Sequence, residues 1–260
     1  MNNDIGHILE SWPYNHDEDL IVRIIKCEIG KKIQMRIDMG IIQMELDGNP
    51  TGESPGGYES WFEYYKHQQI EVETSRIDDF FSLEEEDCKK LRHESVHYYY
   101  RYLCLMKLGD YKRVIRDTDR NYRLFEFVRK YAVADVDKWS LDQYLPYVIM
   151  MNTRARVSLA IIDDMRPQHR KSRDKRSGVE KALDYIDKGI DEIVKFYEDH
   201  GISTEKDISV ELSILKALKS EFLRNMPLSL EEQLEIAIKE ERFEDAAMLR
   251  DRIRSRFNKN

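Results

Sequence analysis

The stretch that decides the fold is "YYYRYLCLMKLGDYKRVIRDTDRNYRL", Tyr98 to Leu124. Apolar and aromatic residues recur three and four apart on both sides of Gly109-Asp110-Tyr111, which is the spacing of one helix face. Gly109 supplies a natural C-terminal cap that ends a helix. The stretch therefore reads as two helices joined by a tight turn. A lone helix pair cannot cover its apolar faces and has to stack on neighbours.

The chain on either side supplies those neighbours. Only 11 Gly and 6 Pro interrupt 260 residues, and charged residues make up 35%. Few breakers and many Glu, Lys, Arg and Leu predict a mainly α-helical protein. Ser82 with Glu85 reads as a capping box opening a helix that runs to Gly109. A second helix covers about 110–132, and Ser140 with Gln143 caps a third that runs to about 165, with Pro146 in its first turns. Two more follow, one ending at Gly201 and one over "DISVELSILKALKSEFLRN".

Upstream the period changes. Ile33, Met35, Ile37 and Met39 alternate with polar residues, and Gly30 marks a turn, so a β-hairpin is expected over about 20–39. "GIIQMEL" reads equally as a third strand or a helix start. "DGNPTGESPGG", Asp47 to Gly57, is a loop without the Lys-Ser or Lys-Thr of a phosphate-binding turn. The expected segments are an arm at 1–19, a β element and loop at 20–57, a helical body at 58–225 and a terminal helical hairpin at 226–260.

The net charge of −8 argues against a globally basic nucleic-acid binder. Cys27, Cys88 and Cys104 are scattered, as in a reduced cytoplasmic protein, and no secretory leader or membrane span is expected. Arg166 to Arg176 is a basic loop able to dock an acidic partner or a phosphate.

"HESVH", His93 to His97, places two imidazoles four apart with a glutamate between them, the zinc-protease spacing. The alternative readings are thus a zinc-dependent hydrolase using His93, Glu94 and His97, or a nucleic-acid-associated repair accessory protein. The flank of the histidine run, "EEEDCKKLR", is strongly charged and no His-x-x-Gly-x-x-His continuation follows, while Tyr98, Tyr102 and Leu105 explain the same spacing as helix packing. No metal or other cofactor is expected.

Two stretches resemble tetratricopeptide repeats: the one quoted first, and "GVEKALDYIDKGIDEI" with Ala182 at its small-residue position. Arg101, Tyr102 and Asn121 depart from that pattern, standing where an apolar residue, a Gly and an Ala are usual. The end of the chain, Leu228 to Phe257, resembles the UVR motif of the excision-repair proteins UvrB and UvrC and of regulators of Clp chaperones and arginine kinase. Leu234, Ala237, Glu241, Phe243, Glu244, Ala246, Ala247, Leu249, Arg250, Asp251 and Ile253 carry the resemblance. "IQMRIDMGIIQMELDGNPTG" and the Tyr98 stretch are similar to bacterial proteins bearing a terminal UVR motif. The resemblance implies protein–protein contact, with excision-repair or Clp-type components or a second copy as partner. The same residues are the expected contact residues of a non-enzymatic adaptor. In the hairpin, Ser229 with Glu232 reads as a capping box, and Leu230, Leu234, Ala237 and Ile238 share one helix face.

Overall fold

A computed structural model describes residues 4–28, 30–75, 80–165, 177–202, 204, 208–225 and 230–257. The chain divides into two compact units, Met1–Lys216 and Ala217–Asn260. The arm, the β element and most of the helical body thus form one unit, and the division falls before residue 226.

In the first unit the expected hairpin gains a strand. β1 (Ile21–Lys26), β2 (Lys31–Ile37) and β3 (Gly40–Glu45) form an antiparallel meander in sequence order. Ile33 pairs with Met44 and Met35 with Ile42, so "GIIQMEL" is a strand that brings apolar residues alongside those of β2. The alternation stops at the turn, where Ile37 and Met39 are exposed. Gln34 and Arg36 are buried as well. Gln34 bonds Arg23 and Gln43 at 2.8 Å each, and Arg36 donates to the Trp12 carbonyl at 2.9 Å. Arg23 lies 4.0 Å from the centre of the Trp12 ring. The N-terminal arm, including a short α1 (Gly6–Ser11), is therefore docked on the sheet through Trp12.

The helices are α2 (Trp61–Thr74), α3 (Glu85–Lys107), α4 (Tyr111–Tyr131), α5 (Asp135–Asp142), α6 (Leu145–Asp164), α7 (Gly178–Asp199) and α8 (Val210–Asn225). The Gly109 turn forms as read, with Asp110 Oδ1 accepting the Arg113 amide at 3.3 Å. The α3 cap differs. The Glu84 amide donates to Asp87 at 3.2 Å, and Ser82 lies outside the helix. The cause is remote: Leu83 forms a parallel bridge with Ala132, donating to Tyr131 O at 2.9 Å and accepting from Val133 at 3.1 Å. Ser140 opens no helix either. It lies inside α5, its hydroxyl donating to Asp137 O at 2.7 Å, and α6 starts afterwards with Pro146 in its first turn, where a missing N–H costs nothing.

α4 packs on α3 and α6, and α7 packs on α6, so successive helices form a layered stack. α6 and α7 approach closely. A Cβ on Gly189 would sit 2.3 Å from Thr153 Oγ1, and Ala182 is fully buried as its small-residue reading requires.

Between α3 and α4 the contact is polar. Arg101, 1% exposed, donates to both carboxylate oxygens of Asp117 at 2.7 and 2.9 Å. Its remaining Nη1 reaches the carbonyls of Glu45 at 3.2 Å and Gly48 at 2.7 Å. Asn121 donates to Ser95 O at 2.9 Å. Arg113 and Arg116 grip Asp47 from α4, and their hydrogen bonds hold its carboxyl down to about 2. Two of the three departures from the repeat pattern, Arg101 and Asn121, are thus the groups that join the two helices and hang the end of β3 on them.

Removing the anion leaves a buried cation uncompensated, and breaking such pairs costs about 3–5 kcal/mol. Asp117→Ala should therefore lower the unfolding free energy by about that much in urea titration. A loss under about 1 kcal/mol would mean that the pair contributes little here.

Candidate functional site

The terminal hairpin is built from α9 (Leu230–Lys239) and α10 (Phe243–Phe257). Ala237 is fully buried and Ala246 nearly so, and side chains this small let two backbones come close. Leu234 and Leu249 flank them half-buried. The turn closes through the Arg242 amide donating to Ala237 O at 2.8 Å, with Glu241 at φ 57°. That is a left-handed helix cap made without glycine. Arg242 spans the turn, bonding Glu240 at 2.9 Å and Asp245 at 2.7 Å. Glu244 and Asp245 sit in the first turn of α10, where the helix dipole favours acids.

Other motif residues are placed differently from their sequence reading. Phe243, beside the turn, is 68% exposed and is not part of the packing between the two helices. Ala247 points outward; of the alanine pair only Ala246 makes the close approach. Ile238 is 54% exposed and so leaves the face it was expected to share with Leu234 and Ala237. Met248, which the sequence reading passed over, is 62% exposed. Arg250 and Asp251 are exposed and 3.5 Å apart. The Ser229–Glu232 capping box and the Ile253 and Leu230 side chains lie outside the described residues, as does the basic loop at 166–176.

Residues 229–255 match the family model described as the UvrB/uvrC motif. The C-terminal segment is a UVR motif. The match spans a small part of the chain, and it supports a protein-interaction or repair-associated role in general terms. No curated protein matches the sequence. No solved structure matches it either. Among the described residues of the second unit the exposed large apolar residues are Leu223, Ile238, Phe243 and Met248, and the last three fall inside the motif.

The histidine run lies in the body, on α3. His93 is exposed and His97 half-buried, with ring centres 4.4 Å apart, so the two do share a face. Burial, then the neighbouring His93, lowers the His97 pKa from its ordinary value. Glu94 turns inward and is buried. One carboxylate oxygen accepts the Trp61 amide at 2.6 Å; the other accepts the Phe62 amide at 3.2 Å and pairs with Arg120. Glu94 thus caps the N-terminus of α2, satisfying two of the amides that a helix start leaves open. Asp119, a conceivable third ligand, pairs with Arg156 at 3.0 Å and bonds Asn152 at 2.7 Å. Among the described residues no three His, Cys, Asp or Glu side chains gather in a metal-binding group. Burial pushes the Cys88 and Cys104 thiols up to about 12, which disfavours the reactive thiolate. Tyr98 and Tyr102 are buried, as packing requires, and the Tyr98 ring lies 3.9 Å from the Arg120 guanidinium and 4.8 Å from that of Arg101. No helix among the described residues is long and apolar enough to cross a membrane.

The two components of the histidine run should separate by mutation. Glu94→Ala strips Arg120 and the α2 amides of their partner and should cost about 3–5 kcal/mol. His93→Ala, on an exposed ring, should stay within about 0.5 kcal/mol. Thermal or urea unfolding of both variants checks this, and equal effects would contradict the cap role.

Proposed function

We propose that this protein is a non-enzymatic adaptor that engages another protein through its terminal hairpin, residues 228–260. The observation that carries the reading is the coincidence of the UVR motif with three large apolar side chains held in water, Ile238, Phe243 and Met248. An interface gains most from burying a few aromatic and flexible apolar anchors, and Phe and Met are favoured for it. The helical stack serves as the scaffold that carries the hairpin.

The engagement of Glu94 supports the non-enzymatic part of the reading. A carboxylate that accepts two backbone amides and an arginine is not placed to activate a water beside His93 and His97. The partner systems that the motif brings into view are excision repair and Clp-type quality control, with a second copy of the chain as the other candidate. The net charge makes direct nucleic-acid binding a poor fit, and the histidines are packing residues in this reading.

Phe243→Ala should change stability by less than about 1 kcal/mol, because the ring is already exposed. The same change, and Met248→Ala, should abolish capture of the partner in affinity pull-down from the source cells. Ala246→Leu should also abolish it by forcing α9 and α10 apart. Unchanged recovery after deleting residues 228–260 would sink the adaptor reading and leave the hairpin as a stabilising cap.

A further inference from the structure

A cavity in the first unit uses no residue of the hairpin and neither His93 nor His97. It has a volume of about 420 Å³ and lies between α3, α4, the start of α6 and the first turn of α8. Its aromatic walls include Tyr99, Tyr102 and Tyr147. The rings are not stacked. Tyr99 meets Tyr102 at 89° with centres 5.5 Å apart, and meets Tyr147 at 60° with centres 5.9 Å apart. Tyrosines set at steep angles form the walls of a box.

The polar groups within the box are mostly engaged already. Asn121 donates to Ser95 O at 2.9 Å and accepts from Arg120 at 3.1 Å. Glu211, half-buried, also lines the cavity. It accepts one hydrogen bond, from Ser209 Oγ at 3.0 Å, and is paired with no lysine, arginine or histidine among the described residues. Among the described residues it is the one charged residue lining the cavity. Burial, with Tyr99 adding and Arg154 opposing, pushes the Tyr147 hydroxyl up to about 12, so this ring stays neutral and its face electron-rich.

A carboxylate drawn partly out of water without a counter-charge favours a cation beside it. Neutral aromatic faces attract the same charge through their quadrupoles. An alkylated ammonium meets both conditions at a smaller desolvation cost than a bare ammonium, and it offers methyl groups to the apolar walls. We propose that this cavity binds a small organic cation carrying an alkylated ammonium group, seated among Tyr99, Tyr102 and Tyr147 with its charge balanced by Glu211. The proposal is independent of the adaptor reading, since it uses no residue of the hairpin.

The test is a titration of the full chain with choline chloride and, separately, with 3,3-dimethylbutan-1-ol, which has the same shape without the charge. Ionic strength is matched, and tyrosine ring resonances report binding. The expected result is choline binding with shifts at Tyr99, Tyr102 and Tyr147, and affinity about tenfold weaker for the neutral analogue. Glu211→Gln should weaken choline by about tenfold and leave the neutral analogue unchanged. Tyr147→Leu should weaken choline as well; if that variant fails to fold, Glu211→Gln and the wild-type comparison still decide. No choline binding at millimolar concentration, equal affinity for the two ligands, or choline binding undiminished in Glu211→Gln overturns the proposal.

Discussion

Arg101 brings a full charge to a position with almost no access to water. A buried guanidinium is tolerated only when its N–H groups find acceptors, and here they come from two distant parts of the chain. Asp117 on α4 takes two bonds, and the carbonyls of Glu45 and Gly48 at the end of the sheet take the rest. The neighbouring Glu94 repeats the arrangement with opposite sign, tying Arg120 on α4 to the start of α2. Tyr98 stands beside both guanidiniums and presents them with an aromatic face. Three helices and the sheet therefore meet at one polar seam. Such a seam is a weak source of net stability, because desolvation offsets much of the attraction. What it confers is register: α2, α3, α4 and β3 can each satisfy these groups in one arrangement only.

The seam also explains where sequence reasoning succeeded. Features set by neighbours in the chain were legible. The Gly109 turn separates two helices as read, and the strand period of "KKIQMRI" is that of β2, with Ile33 and Met35 buried. Features set by distant contacts were not. The α3 cap moved from Ser82 to Glu84 because Leu83 is held by Ala132. The break between α5 and α6 and the docking of the arm through Trp12 likewise depend on tertiary partners. Arg101 and Asn121 read as flaws in a repeat because their partners are far away in sequence.

The candidate site divides in the same way. The UVR motif was legible because its residue types recur at fixed spacing, and the close approach at Ala237 and Ala246 follows from side-chain size. The direction of Phe243 was not legible, since a ring beside a turn can pack inward or project outward. Glu94 gives the sharper lesson. Between two histidines it reads as a catalytic base, and nothing local reveals that the amides of Trp61 and Phe62 occupy it. The signal that was available was the charged flank of the helix, which suits a solvated face better than the roof of an active site. The Glu94 carboxylate thus helps to hold the body together, and three exposed apolar side chains, Ile238, Phe243 and Met248, fall in the hairpin.

Amide hydrogen exchange on the full chain tests this division of labour most directly. The account predicts that the Trp61 and Phe62 amides, together with those of α3 and α4 around the seam, exchange only with unfolding of the whole body. Residues 230–257 should exchange as a separate unit of lower stability. Early, independent exchange at Trp61 and Phe62 would contradict the seam as the organising constraint. Exchange of the hairpin in step with the body would contradict its standing as a separate unit.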